Sequence, residues 1–186
     1  MDESQEAALV CRCQAGDTEA FRELIGTYKN TLFGVALLMT RDRSSAEDAV
    51  QEGLIKIWQH LPSLQKPESI KAWLVRIVVN EVKQQFRMKR LVAVPLDMAD
   101  DIASEADSPE DDAIQAENRR NMRQALNTLP PEQRDAIILR FYSDLTVPEI
   151  ATVMNQPQGT IKSRLNRGLA RLNNGLKNQD LVQWWK

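Results

Sequence analysis

Histidine, cysteine and long apolar runs are nearly missing from this chain, and each shortage removes a class of protein. His60 is the only histidine, and Cys11 and Cys13 are the only cysteines, among 186 residues. With no second cysteine pair, no zinc site is expected. The two cysteines read as reduced thiols near a core, because a free cysteine packs as a small hydrophobe. His60, just before Leu61-Pro62, reads as a helix-end surface residue. No apolar run approaches the roughly 20 residues that span a bilayer. The acidic start Met1-Asp2-Glu3-Ser4 lacks the basic-then-apolar pattern of a secretory signal, which predicts a cytoplasmic protein. There is no phosphate-cradling glycine loop, no metal-ligand cluster and no nucleophile paired with histidine. Catalytic residues, a metal and a cofactor are therefore not expected.

What the chain does have is globular composition, with 42% hydrophobic and 27% charged residues. Its net charge of −2 argues at first against a nucleic-acid partner. The distribution reverses that reading. Residues 71–90 hold Lys71, Arg76, Lys83, Arg87, Lys89 and Arg90 against one acid, Glu81. Residues 158–177 hold Lys162, Arg164, Arg167, Arg171 and Lys177 and no acid. Between them, residues 97–117 carry nine acids and no base. Two cationic blocks flank an anionic one.

Period-2 alternation is absent and apolar residues recur at helical spacing, so the predicted fold is all-α. Asp17 is positioned to cap a helix to about Thr40, with Phe21, Leu24, Ile25, Tyr28, Leu32 and Val35 inward. Ser44 and Glu47 fit a capping box for the next helix, which ends near Leu61-Pro62. Its predicted buried stripe is Val50, Leu54, Ile57, Trp58 and Leu61. After the loop from Ser63, Pro67 is placed to open a helix to about Arg90. Further helices are predicted at 109–128, 131–142, 146–154 and 158–177, the first of these capped by Ser108 ahead of Pro109. The expected division is a helical domain over 1–92, an acidic linker over 93–108, a second helical domain over 109–178 and a tail over 179–186.

The second domain carries the more specific pattern. Thr146 and Glu149 fit a capping box, followed by Val147, Ile150, Ala151 and Met154 on one face. Asn155-Gln156-Pro157 makes a tight turn. A second helix then aligns Ile161, Leu165, Gly168 and Leu172 on one stripe. This is a helix-turn-helix layout. The opposite face offers Thr160, Lys162, Ser163, Asn166 and Arg167, the residue types that read base edges in a major groove. Arg164 and Arg171 lie at the flank and suit phosphates. The bland alternative is a solvated basic face.

The motifs Leu126-Asn127-Thr128-Leu129-Pro130-Pro131-Glu132-Gln133-Arg134, Leu139-Arg140-Phe141, Glu149-Ile150-Ala151 and Gly159-Thr160-Ile161-Lys162-Ser163-Arg164-Leu165 closely resemble the C-terminal domain of extracytoplasmic-function sigma factors. The resemblance implies that this domain reads the −35 promoter element. Pro157 stands where that family often has a serine cap.

The N-terminal half extends the resemblance. In Ala46 to Trp58, the residues Asp48, Gln51, Glu52 and Ile55 recur on one helix side. By pattern alone an ordinary solvated face is the better reading. The stretch resembles the family's core-binding helix, and the resemblance implies that Glu47, Asp48, Gln51 and Glu52 dock on the clamp helices of the polymerase β′ subunit. In the next helix Arg76, Asn80, Lys83, Arg87 and Arg90 share one face, bordered by Trp73. Cations beside an aromatic ring suit an unpaired strand, although core packing accounts for Trp73 equally well. The motif Ala72-Trp73-Leu74, Arg76-Ile77, Asn80 and Arg87 is similar to the family's −10 region. The resemblance implies strand melting, with a base flipped beside the loop Ser63–Ser69. It also implies the polymerase core, including its β subunit, promoter DNA and an inhibitory anti-sigma factor as partners. A stand-alone helix-turn-helix regulator is the alternative, and it would need the C-terminal half only.

Overall fold

The computed structural model describes residues 3–65, 69–91 and 112–176, and all regular structure among them is helical. The expected linker over 93–108, the Ser108 cap, Pro67 and the tail after residue 178 lie outside the described residues. The chain divides into two compact units. The first contains α1 (Glu3–Gln14), α2 (Thr18–Thr40), α3 (Arg43–His60), a 3-10 turn (Leu61–Ser63) and α4 (Ile70–Leu91). The second contains α5 (Asp112–Asn127), α6 (Pro131–Ile137), α7 (Val147–Met154) as far as Ala151, and α8 (Gln158–Leu176).

Asp17 caps α2 as expected, accepting from the backbone N–H groups of Glu19 and Ala20 at 3.0 Å each. Those bonds, with the Arg12 guanidinium at 2.7 Å, hold its carboxyl below the usual aspartate range. Leu24, Leu32 and Val35 are buried, whereas Phe21, Ile25 and Tyr28 lie half-buried at the edge of the same face. α2 stops at Arg41, which takes the left-handed conformation (φ 61°) and returns its N–H to the Leu37 carbonyl at 2.9 Å.

The cap of α3 differs from the sequence expectation. Asp42, not Ser44, receives the free N–H groups: its carboxylate accepts from the Ser45 N–H at 2.8 Å and from the Ser45 hydroxyl. A carboxylate at the positive helix end gains from the dipole as well as the hydrogen bond. Glu47 instead pairs with Arg43 at 2.9 Å, one turn back.

The buried stripe of α3 keeps Ile57 and Leu61 as expected, but over its first turns it is displaced by one residue. It runs Ala46, Ala49, Gly53, Ile57 and then Leu61. Val50 and Leu54 are only half-buried, and Trp58 is exposed, its ring edge-on to Phe21 with centroids 4.9 Å apart. Small residues won the inner face because α4 packs close. A Cβ on Gly53 would lie 3.0 Å from Val78 Cγ2. From α4 the core receives Ile70, Leu74, Val75, Val78, Val79 and Val82. Ile77 is half-buried and Phe86 exposed, so the apolar circumference of this helix is narrower at its C-terminal end than expected.

In the second unit, α6 continues through one wide π turn, Ile138–Tyr142, which places Ile138 and Leu139 in the core. Ile150, Val153 and Met154 are the buried residues of α7, with Val147 and Ala151 only half-buried. Val153 lies three residues after Ile150 and so turns to the same side. The stripe Ile161, Leu165, Gly168 and Leu172 of α8 is buried as expected.

Candidate nucleic-acid and polymerase interfaces

α3 and α4 of the N-terminal unit lie against each other, and polar contacts run along the seam. Lys56 Nζ meets Glu81 Oε2 at 2.7 Å, with the Glu81 carboxylate almost fully buried. Near the other end, Lys89 Nζ donates to Ser45 Oγ at 2.8 Å. With its amide oriented to suit its neighbours, Gln85 donates to the Ser45 carbonyl and accepts from the Ala49 N–H, both at 3.1 Å. A shift of register would leave the buried Glu81 carboxylate without its cation. The seam therefore fixes how α4 sits on α3.

On the outer side of α3, Asp48, Gln51, Glu52 and Ile55 are all exposed, Ile55 at 47%. Glu47 is exposed too, although held by Arg43. Along α4, Arg76, Asn80 and Arg87 are exposed and Lys83 is half-buried. Trp73 is half-buried, so packing takes part of its ring and leaves part accessible. The Arg90 side chain lies outside the described ones.

The loop after α3 is anchored by a residue the sequence reading missed. Gln14, at the end of α1, donates to the carbonyls of Leu61 at 3.2 Å and Leu64 at 2.8 Å. The contact spans 47 residues. No local pattern could signal it, because a glutamine at a helix end is unremarkable until the fold brings two carbonyls to it. Nearby, burial pushes the Cys13 thiol up, which keeps it protonated and unreactive.

In the C-terminal unit, the backbone N–H and hydroxyl of Thr146 both donate to Glu149 Oε2, at 2.7 and 2.6 Å, which is the Glu149 half of the expected capping box. Asn155 makes the turn with a left-handed backbone (φ 53°), which asparagine tolerates. The Pro157 carbonyl accepts from the N–H groups of Thr160 at 2.9 Å and Ile161 at 3.2 Å. α8 thus starts from a backbone acceptor in place of a serine cap. Its outer residues Lys162, Asn166, Arg167 and Arg171 are exposed, and Thr160 and Ser163 are half-buried. Arg164, expected at the flank, is only 17% exposed and holds Glu132 Oε2 at 2.6 Å. That pair lies on an open cleft of about 850 Å³ between the starts of α6 and α8, which Gln133, Thr160, Ser163 and Arg167 also line. Gly168 permits this approach of the two helices: a Cβ there would lie 3.1 Å from Ile137 Cγ1.

Comparison with known proteins matches two regions of the chain. Residues 24–92 match Sigma-70 region 2, and residues 119–172 match Sigma-70 region 4. The chain is 31% identical over 183 residues to the ECF RNA polymerase sigma-E factor of Haemophilus influenzae, covering 92% of this chain and 95% of that protein. It is 28% identical to the RNA polymerase sigma-H factor of Pseudomonas aeruginosa over 186 residues, covering 95% of this chain and 96% of that one. Among solved structures, the sigma factor RpoE in complex with the anti-sigma factor NepR from Bartonella quintana aligns with a TM-score of 0.68 at 31% identity, over 86% of this chain and 98% of that one. CnrH in complex with the cytosolic domain of CnrY shares the fold, with a TM-score of 0.70 at 21% identity over 96% of this chain and 99% of that one. With both regions matched in order over nearly the full length of its relatives, the chain belongs to the extracytoplasmic-function sigma factors of the sigma-70 family.

Proposed function

We propose that this chain directs bacterial RNA polymerase core to particular promoters and performs no chemistry of its own. The observation that carries this reading is the pairing of an exposed acidic strip on α3 with an exposed basic stripe on α4, fixed in register by the Lys56–Glu81 contact. A protein that only bound duplex DNA would use the helix-turn-helix and leave both strips idle.

In this mechanism Asp48, Gln51 and Glu52 dock around Ile55 on a basic helical surface of the β′ clamp, with Glu47 at the edge. Charge complementarity steers the approach, and the apolar centre supplies affinity. Trp73, Arg76, Asn80, Lys83 and Arg87 hold the strand opened at the −10 element, and Arg90 extends the line in sequence. Cations follow the phosphates while a ring stacks on bases. Thr160, Lys162, Ser163, Asn166 and Arg167 read the −35 duplex, and Arg171 holds its backbone. The protein works in the cytoplasm, where its polymerase is; no described helix is long and apolar enough to cross a membrane. The similarity to a factor solved with an anti-sigma partner supports control of the same kind here.

The test separates the two interfaces. Asp48→Arg with Glu52→Arg abolishes co-purification with core polymerase. Lys162→Ala with Arg167→Ala leaves co-purification intact and weakens promoter retention by the holoenzyme at least about thirtyfold, two contacts at roughly 1 kcal/mol or more each. Survival of the core complex after the charge reversal overturns the docking face. Unchanged promoter retention overturns the reading of α8.

A further inference from the structure

The Glu132–Arg164 pair has a consequence for DNA affinity. Glu132 stands in the first turn of α6 and is 70% exposed, whereas Arg164 is nearly covered. Their contact, at 2.6 Å, is charge-assisted and lies on the same cleft as Thr160, Ser163 and Arg167. A duplex seated on the N-terminal turns of α8 therefore meets a guanidinium whose charge is already balanced, with an exposed carboxylate beside it. Arg167, one turn further along α8, is exposed on the same cleft, and among the described residues it pairs with no carboxylate.

We propose that Glu132 sets the strength of promoter binding by holding Arg164 in this internal pair, so that Arg164 adds no net charge to the DNA contact while the pair is intact. The inference rests on α8 being the duplex-reading helix. Its physical basis is counterion release. Each phosphate neutralised by a free cation steepens the dependence of log Kobs on log salt by about 0.9, and a cation already neutralised by a carboxylate releases no counterion. Glu132 thereby keeps binding weak enough to be salt-tolerant and leaves sequence reading to the uncommitted residues of α8.

The experiment uses holoenzyme reconstituted with purified core polymerase and a promoter duplex chosen by sequencing the DNA that the wild-type holoenzyme retains. Binding is titrated from 50 to 200 mM salt for the wild type, Glu132→Gln, Arg164→Ala and the double variant. Glu132→Gln binds more tightly, and its slope is steeper by about 0.9, so its advantage shrinks about threefold across that fourfold salt range. Arg164→Ala alone leaves the slope unchanged, and in the Glu132→Gln background it removes the gain. A Glu132→Gln slope equal to the wild type overturns the proposal, as does a slope flattened by about 0.9 in Arg164→Ala alone. Glu132→Ala serves the same comparison if the glutamine variant fails to fold. Arg167→Ala is titrated alongside: unchanged affinity there refutes the reading of α8 itself, a failure distinct from that of Glu132.

Discussion

Gly53 offers the sharpest quantitative test of how the core-docking helix and the strand-binding helix are joined. A methyl at this position would lie 3.0 Å from Val78 Cγ2 and 3.6 Å from Val78 Cα. Valine in a helix keeps essentially one side-chain rotamer, so Val78 yields the few tenths of an ångström needed mainly by moving with α4. Overpacking of this kind costs about 1–3 kcal/mol. Against it stands the helix-propensity gain of about 1 kcal/mol on replacing glycine by alanine. Gly26, exposed within α2 with nothing near its would-be Cβ, provides the control, because the same gain applies without the overlap. Gly26→Ala should stabilise by about 1 kcal/mol. Gly53→Ala should be neutral to about 2 kcal/mol destabilised once gain and overlap are combined. The backbone contribution cancels between the two, so their difference isolates the packing cost. In calorimetry of the full chain, Gly53→Ala should melt at least about 2 °C below Gly26→Ala. It should also reduce open-complex formation by the holoenzyme, since α4 shifts on α3. If Gly53→Ala melts at or above Gly26→Ala, the close approach is not there and the argument from α3–α4 register falls.

Two further outcomes follow from the hydrogen bonds. Gln14→Ala leaves the Leu61 and Leu64 carbonyls without their donor, costs about 1 kcal/mol, and loosens the loop ahead of α4; promoter opening should fall while duplex binding through α8 is unchanged, and equal loss of both would count against a loop-specific role. Asp42→Ala costs about 1 kcal/mol at neutral pH as a lost cap. The Asp42 carboxyl is held low by the Ser45 hydroxyl and N–H, so its stabilisation is complete above the ordinary aspartate value of about 4 and fades as pH falls through the lowered one. Urea unfolding should show the gap between variant and wild type closing in that acid range, and a gap constant down to pH 2 would refute the assignment of the cap.

Much of this molecule was legible in one dimension because the signals are local. A helix cap needs only a few residues, so Asp17 and the Thr146–Glu149 pair were readable, and the 3.6-residue period exposed Ile161, Leu165, Gly168 and Leu172 as one face. The segregation of charge is likewise a property of the sequence, and it pointed to nucleic acid despite a net charge of −2. Three things depended on the fold. The inner face of α3 went to Ala46, Ala49 and Gly53 because the distance to α4, not hydrophobicity, chose it. Gln14 acquired a role only when a loop 47 residues away came within reach. Arg164 looked like any other cation of α8 until α6 brought Glu132 to it. Sequence periodicity specifies which way a side chain faces, whereas the partner it meets there is set by how close the next helix comes.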